Sequence, residues 1–322
     1  MILALSGLCE VLDCSLHGCG FVEIDMAQGN TMPMSVNFFS CIFNFKGFLM
    51  QTPKSILLHL DSSARAAERI KVASQLADAF EAEVTCLPFT MSALARYPFA
   101  LEGAAETMAV ILEMDKECRD KAFATFVAAG AGSPRLKWTE PLSDAPWGYA
   151  RRSLYFDLMI LGQRDADDPA AGELPADFLP SLLVESGRPA LILPSTGLIA
   201  PIGRTVLVAW KETREAARAV SAALPWLHGA DRVHVVCYGE SADASLHALQ
   251  GYLALQGVSA VLHPGGSEQD DAGNYLLSMA ADLGADLLVM GCYGHSRARE
   301  WVLGGATRTI LQSMTLPVLM SH

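Results

Sequence analysis

The sequence predicts an α/β protein of two tandem domains, each with a mostly parallel five-stranded sheet and helices on both faces. Short apolar segments bounded by turn residues alternate with longer segments of helical period, which is typical of a parallel sheet. The same order of nine alternating strands and helices occurs twice, in 53–196 and in 203–322. The segments 157–162 (DLMILG) and 286–291 (DLLVMG) take the same place in the two copies, which indicates an internal duplication.

Length and composition support this reading and exclude two classes of partner. The chain has 322 residues, which is enough for about two domains. Hydrophobic residues make up 51% and charged residues 18%, so large buried cores are expected. The net charge of −12 repels polyanions, and we therefore expect neither nucleic acid nor a membrane surface as a partner. Eight scattered cysteines without a CxxC pair predict no zinc site and fit reduced thiols in a cytoplasmic protein.

Residues 1–49 differ from the rest of the chain. They are apolar, poor in charge and rich in cysteine, and they show no clear period. They lack the basic region followed by an apolar core that a signal peptide needs. We interpret them as a disordered extension or an over-extended start upstream of Met50. A short membrane-surface or partner-binding extension is the alternative.

The first copy has its predicted elements in regular order. Asp61 and Ser62 follow the first strand and are expected to form a turn and the cap of the first helix. The segment 165–175 is an acidic loop that contains proline. Strands are predicted at 55–60, 82–87, 136–139, 156–161 and 190–193, and helices at 64–80, 104–129, 144–152 and 177–185.

The second copy restarts after a linker at 195–203, which is marked by proline and glycine. Ser267 is expected near the start of its third helix. Strands are predicted at 205–209, 232–237, 260–263, 286–290 and 317–320, and helices at 212–227, 242–256, 267–283 and 307–314.

The segment 287–307, LLVMGCYGHSRAREWVLGGAT, has the strongest functional pattern. An apolar strand ends in a glycine turn, basic residues follow, and a glycine pair comes directly before a helix. Backbone N–H groups and the positive end of a helix dipole suit a phosphate at such a place. The alternative is that the glycines serve only a tight strand-to-helix connection. The candidate phosphate-binding residues are Gly291, Gly294, His295, Arg297, Gly304, Gly305, Ala306 and Thr307.

The spacing Gly291-x2-Gly294-x9-Gly304 resembles the nucleotide loop of the universal stress protein family. In that family Ser or Thr follows the last glycine, whereas this chain has Gly305. The resemblance covers 53–196 and 203–322. It implies two Rossmann-like domains of the adenine nucleotide alpha hydrolase-like type. The implied ligand is ATP or a related adenine nucleotide, bound by the domain that keeps the glycine loop, and the sequence signals no metal.

The resemblance also implies how the two copies associate. Family members pair their final strands across a two-fold axis, and a tandem chain can form this pair internally. The strands at 190–193 and 317–320 are the candidates, because an unpaired apolar edge would favour aggregation. A further homodimer is a possible addition to this intramolecular pairing.

The two copies differ where the family binds its ligand. In the first copy Asp165 replaces the second glycine, and several acidic residues follow, so phosphate should bind there poorly. Asp61 keeps the aspartate that the family places near the adenine. The second copy has Trp210 and Lys211 at that place. Trp210 either stacks on a base or is buried, and Lys211 either faces phosphate or is a solvated turn residue.

No catalytic constellation is apparent, because the chain lacks GxSxG, HExxH and kinase-like motifs. His295 either contacts phosphate, acts as an acid or base, or is a polar loop residue. His59 and His234 lie in strand patterns and are interpreted as core histidines. We therefore expect a nucleotide-binding stress or signalling module with its site in the second copy. The alternatives are a scaffold of the same fold that acts through protein contacts and, at most, a slow ATPase.

Overall fold

The computed structural model describes residues 52–97, 105–130, 132–140, 147–197, 201–266, 271–294 and 305–322. Ten strands in these residues form one continuous sheet. The strands are β1 Ser55–Leu60, β2 Glu83–Pro88, β3 Leu136–Trp138, β4 Leu158–Gly162, β5 Ala190–Leu193, β6 Thr205–Trp210, β7 Arg232–Cys237, β8 Val261–Pro264, β9 Leu287–Gly291 and β10 Val318–Ser321. Their order in the sheet is β3-β2-β1-β4-β5-β10-β9-β6-β7-β8.

Helices connect these strands, and one loop contains a short 3₁₀ helix, Pro169–Glu173. The α-helices of the described residues are α1 Ala66–Phe80, α2 Ala93–Arg96, α3 Ala105–Gly130, α4 Trp147–Ser153, α5 Phe178–Ser186, α6 Arg214–Gly229, α7 Ala242–Leu255, α8 Ala272–Leu283 and α9 Ala306–Ser313.

Within each half of the sheet all strands are parallel. The chain runs outward from β1 to β3 and then crosses back to β4, and it repeats this course from β6 to β9. The point where the order reverses lies between β1 and β4 in one half and between β6 and β9 in the other. In open parallel sheets, ligands bind beyond the carboxyl ends of the strands at this point.

The two halves meet at β5 and β10, which are antiparallel. Leu191 lies opposite Leu319, and Ile192 lies opposite Val318. All four side chains are fully buried. These are the strands that the sequence predicted to pair, and their pairing makes one sheet of the two halves.

Apolar side chains cover both faces of the sheet. Ile56 and Leu58 point to one face, where they pack with α1, and Leu57 points to the other face, where it packs with α5. In the second half, Val208 faces α6, and Leu288 faces α9. Since successive side chains of a strand alternate between faces, burial on both faces requires helices on both. The predicted fold class is therefore confirmed.

The predicted element bounds agree with the observed ones to within a few residues, with one correction at the start of α1. Asp61 and Ser62 do not cap this helix, which begins at Ala66 after Arg65. Instead, Asp61 accepts from the backbone N–H of Ser63 (3.1 Å), so it forms a local turn. Residues 144–146 and 267–270, which were predicted to begin two helices, lie outside the described residues.

Candidate functional site

The candidate site lies at the carboxyl ends of β6 and β9, which are neighbours in the sheet. Ala209 pairs with Met290, so Trp210 ends β6 beside Gly291 at the end of β9. The fold thus brings the predicted residues Trp210 and Lys211 next to the glycine loop. Of the predicted loop residues, His295, Arg297 and Gly304 lie outside the described part of the chain.

Gly291 is required by the packing of α6 on β9. A Cβ at this position would lie 2.5 Å from the backbone nitrogen of Ala216 and 2.7 Å from the carbonyl carbon of Glu215. No side chain fits there without a shift of the helix backbone. The sequence analysis gave a tight strand-to-helix connection as the alternative to a phosphate site. That alternative is enough to explain why position 291 is a glycine.

The loop after Gly291 is held to both β10 and α9. The N–H of Cys292 donates to the carbonyl of Ser321 (2.9 Å), and the thiol side chain is buried. Tyr293 has a φ of 54°, which is uncommon for a residue other than glycine. Its N–H donates to Oγ1 of Thr307 (3.4 Å). The start of the loop thus lies beside the first turn of α9.

The amino end of α9 has no side-chain cap from the residue that precedes it. Gly305 is the N-cap residue, and glycine has no side chain with which to accept a hydrogen bond. The carbonyl of Gly305 accepts from Arg308 (2.9 Å) and Thr309 (3.3 Å). The first N–H groups of α9 and the positive end of its dipole therefore suit an anion beside the loop.

Glu215 is a residue of this site that the sequence analysis missed. It lies in the first turn of α6, and its side chain is almost fully buried. Its Oε2 lies 3.3 Å from the place that a Cβ on Gly294 would take, and Thr213 lies on the same side of this glycine. The sequence shows that Glu215 follows Thr213, which is a typical helix cap. It does not show that the side chain of Glu215 points toward the glycine loop.

Glu215 is held by its own neighbours in the chain. Nε of the exposed Arg214 donates to Oε1 (2.6 Å). Burial alone would raise the pKa of Glu215, but hydrogen bonds from Arg214, from its own backbone N–H and from Thr213 outweigh burial and lower it. The carboxyl group is therefore an anion at neutral pH.

Trp210 and Lys211 differ in exposure. The indole is partly buried against the core, and its Nε1 donates to Oγ of Ser245 on α7 (2.9 Å). This hydrogen bond fixes the ring against α7. Lys211 is exposed at the carboxyl end of β6. Both of its predicted roles, phosphate contact and solvated turn, agree with that position.

In the first half, the equivalent place is filled by the protein itself. Arg69 donates to the carboxylate of Asp61, and both side chains are buried. The guanidinium also lies against Gly162, where its Cζ is 3.1 Å from the place of a Cβ. Burial would raise the pKa of Asp61, but the charge of Arg69 and hydrogen bonds from Ser63 hold it well below its usual range. The aspartate that the family resemblance places near the adenine is thus paired with an arginine of the same domain.

The acidic loop of the first half serves the local structure. Asp168 accepts from the N–H groups of Ala64 (2.9 Å) and Ala170 (2.8 Å). Glu173 is buried and accepts from the hydroxyl of Ser62 and the thiol of Cys118. Both carboxylates thus accept hydrogen bonds from groups of the protein itself.

The two strand histidines are buried and hydrogen-bonded, as predicted. Nε2 of His59 is bonded to the carbonyl of Phe89 (2.9 Å), and aromatic rings surround the imidazole. Burial lowers the pKa of His59 to about 4. Nδ1 of His234 is bonded to Nε2 of His263 on the neighbouring strand (2.9 Å).

Two further classes of feature are not found in the described residues. No group of three or more His, Cys, Asp or Glu side chains there is arranged to hold a metal ion. Helices in the same residues are either too short or too polar to span a bilayer.

The sheet order, the duplicated reversal points and the glycine loop define a tandem α/β protein of the Rossmann-like class. Residues 240–322 match the model of the Universal stress protein family. The resemblance seen in the sequence is confirmed, and the glycine loop that carries it falls within the matched residues.

Solved structures show the same fold over most of the chain. A universal stress protein from Archaeoglobus fulgidus DSM 4304 has a TM-score of 0.61 at 16% identity, over 83% of this chain and 95% of that one. A functionally unknown protein from Pseudomonas aeruginosa PAO1 has a TM-score of 0.53 at 18% identity, over 84% and 93%. At these identities the likeness concerns the fold. Among curated proteins, none matches the chain.

Proposed function

We propose that this protein is a stress-response or signalling module that binds ATP or a related adenine nucleotide in its second half. The supporting observation is the contact between the N–H of Tyr293 and Oγ1 of Thr307 (3.4 Å). It holds the start of the glycine loop beside the uncapped amino end of α9. Phosphate oxygens placed there accept hydrogen bonds from backbone N–H groups and benefit from the helix dipole.

The proposed contacts follow the predicted residues. Gly294, Gly305, Ala306 and Thr307 present backbone groups to the phosphate, and Lys211 adds a positive charge from the end of β6. Trp210 forms one wall of the site. The resemblance adds His295, Arg297 and Gly304 as contacts from the rest of the loop, and Gly291 allows the loop to lie close to α6.

The first half is proposed to be a structural partner without a nucleotide. Arg69 fills the space beside Gly162 and neutralises Asp61, and the buried carboxylate of Glu173 lies nearby. We propose domains at 53–196 and 203–322 that associate within one chain through β5 and β10. The segment 1–49 is proposed to lie outside both domains.

A scaffold of the same fold is the second candidate function. It is favoured by two features of the second-half site: Lys211 stands where the family has its aspartate, and the buried carboxylate of Glu215 lies against Gly294. A protein that acts only through protein contacts has no need for an open phosphate site.

Equilibrium dialysis of the full chain against labelled ATP, ADP and AMP tests the proposal. We expect one nucleotide per chain for at least one of the three. Two per chain would contradict a closed first half. No binding of any of the three would contradict the nucleotide proposal and favour the scaffold.

A further inference from the structure

Two histidines of the second half lie side by side at the outer end of the sheet. His234 is on β7, and His263 is on β8, the last strand in the sheet order. His263 pairs with Val236, two residues after His234, so both imidazoles project from the same face of the sheet. Nδ1 of His234 lies 2.9 Å from Nε2 of His263, and the ring centroids are 5.1 Å apart.

The two facing nitrogens can both offer a lone pair. Burial, together with the charges of His263 and Arg232, lowers the pKa of His234, so this ring is neutral at neutral pH. A neutral imidazole carries its proton on either nitrogen, and the hydrogen bond between the two rings uses one such proton. When the donor ring holds its proton on the other nitrogen instead, both facing nitrogens are available to bind a cation.

The distance between the facing nitrogens fits two neighbouring ligands of one metal ion. Transition metals bind imidazole nitrogen at about 2.0–2.1 Å, so two such ligands at a right angle are about 2.8–3.0 Å apart, against about 3.3–3.4 Å at the tetrahedral angle. The observed 2.9 Å matches the right angle. Square-planar and tetragonal geometries, which have this angle, are typical of Cu²⁺ and Ni²⁺. Each ring has to turn only until its lone pair points at the ion.

Water can complete the coordination of such an ion, because this part of the sheet is open. Val261, which pairs with His234, is 54% exposed, and His263 is half-buried. In the described part of the chain, no further His, Cys, Asp or Glu makes a group of three with the pair. Arg232 is exposed at the start of β7, so water screens its repulsion of a cation. A site with two protein ligands binds its ion reversibly.

A purely structural role as a hydrogen-bonded pair also fits the two histidines, and the duplication weighs against it. By strand register, the corresponding places of the first half are taken by Thr85 and Thr139. Both threonines are half-buried, as His263 is. The same strand pairing therefore forms without imidazoles, and the fold alone does not explain why two of them meet in the second half.

We propose that His234 and His263 form a reversible binding site for a divalent transition-metal ion, Ni²⁺ or Cu²⁺, with water in the remaining coordination positions. The bound ion joins the edge strand β8 to β7. Other strands than those of the glycine loop form this site, and the inference does not depend on nucleotide binding.

Calorimetric titration of Ni²⁺ into the full chain without an affinity tag tests the inference, with Mg²⁺, which prefers oxygen ligands, as the control ion. The unchanged chain should bind one Ni²⁺ more than His234→Gln or His263→Gln. His247→Gln, at an exposed position of α7, is the matched control and should bind as many as the unchanged chain. At about a hundredfold excess over Kd, Ni²⁺ should raise the midpoint of thermal unfolding by about 3 °C or more in the unchanged chain and by less than about 1 °C in His263→Gln.

Three results would overturn the site. One is an equal number of bound Ni²⁺ ions in the unchanged chain and in the folded variants of the pair. Another is the same loss of Ni²⁺ in His247→Gln, which would show unspecific binding to exposed imidazoles. The third is binding of Mg²⁺ that is lost in the same variants, which would contradict nitrogen ligands. If the buried His234→Gln does not fold, the half-buried His263→Gln decides the question.

Discussion

The guanidinium of Arg69 donates to the carboxylate of Asp61, and this buried ion pair fills the ligand side of the first half. Asp61 follows β1 at the sheet's reversal point, where an open domain would admit a ligand. Ser63 also donates to the same carboxylate oxygen. The two halves therefore share one fold but differ in the space left for a ligand, since the second half has Ala219 in the helix position that corresponds to Arg69.

Loss of the buried ion pair should cost considerable stability. Arg69→Ala leaves the Asp61 carboxylate buried without its counter-charge, and we expect the free energy of unfolding to fall by about 3–5 kcal/mol. Urea denaturation at pH 7 measures the loss. The control is Arg204→Ala, which removes an exposed ion pair with Asp231 and should cost about 1 kcal/mol or less. Equal losses in the two variants would show that Asp61 does not depend on Arg69.

Acid should destabilise the fold through His59. Its pKa is about 4 in the folded chain against an ordinary value of 6.5. Between these values the unfolded chain takes up a proton that the folded chain does not, so this contribution is complete above pH 6.5 and is lost as the pH falls toward 4. The shift corresponds to about 3 kcal/mol.

Urea denaturation between pH 7 and pH 4.5 measures this dependence. His59→Asn is less stable at pH 7, but its stability should decline less steeply with acid than that of the unchanged chain. His247→Asn, at an exposed position on α7, should leave the slope as it is. An unchanged slope in His59→Asn would rule out the buried neutral imidazole as its source.

A side chain at Gly291 should disturb the packing of α6. The Cβ of Gly291→Ala would meet the backbone of Ala216, which has no flexible end to move aside. We expect a loss of about 1–3 kcal/mol in the free energy of unfolding. Gly229→Ala, at the end of the same helix with open space around its Cβ, is the matched control. If thermal unfolding finds both variants equally stable, the close approach at Gly291 is not rigid.

Shortening a buried side chain at the junction of the two halves should lower the stability of the protein. Leu319 of β10 is fully buried opposite Leu191 of β5. Leu319→Ala leaves a cavity there and should lower the free energy of unfolding by about 2–5 kcal/mol. Leu255→Ala removes a side chain that is 87% exposed and should change it by about 0.5 kcal/mol or less. A cost as small as that control's would contradict a tightly packed junction.

Most of the fold could be predicted because the apolar strands and the internal duplication can both be read directly from the order of residues. The segments 157–162 and 286–291 aligned the two copies with each other. The family resemblance, together with the apolar strands at 190–193 and 317–320, predicted the junction. The burial of Arg69 could not be predicted in this way. It lies in a helix that alternates charged and apolar residues, and its partners, Asp61 and Gly162, come from two other elements.

The candidate site was predicted in part for the same reason. Glycine spacing identified the loop after β9, and the strand order brought Trp210 and Lys211 to it. The direction of Glu215 depends on how closely α6 packs on Gly291, which is a contact between distant segments. From helical periodicity alone, an acidic residue at such a position is predicted to face solvent.

The most direct test of nucleotide binding in the second half is calorimetric titration of ATP, ADP and AMP into the full chain beside a Gly294→Asp variant. This change copies Asp165 of the first half into the glycine loop and adds a second carboxylate next to Glu215. Gly172→Asp, at an open position of the first half, is the matched control. We predict that the unchanged chain and the control bind at least one nucleotide and that Gly294→Asp binds none. Equal binding by all three proteins would place the nucleotide elsewhere and contradict the account.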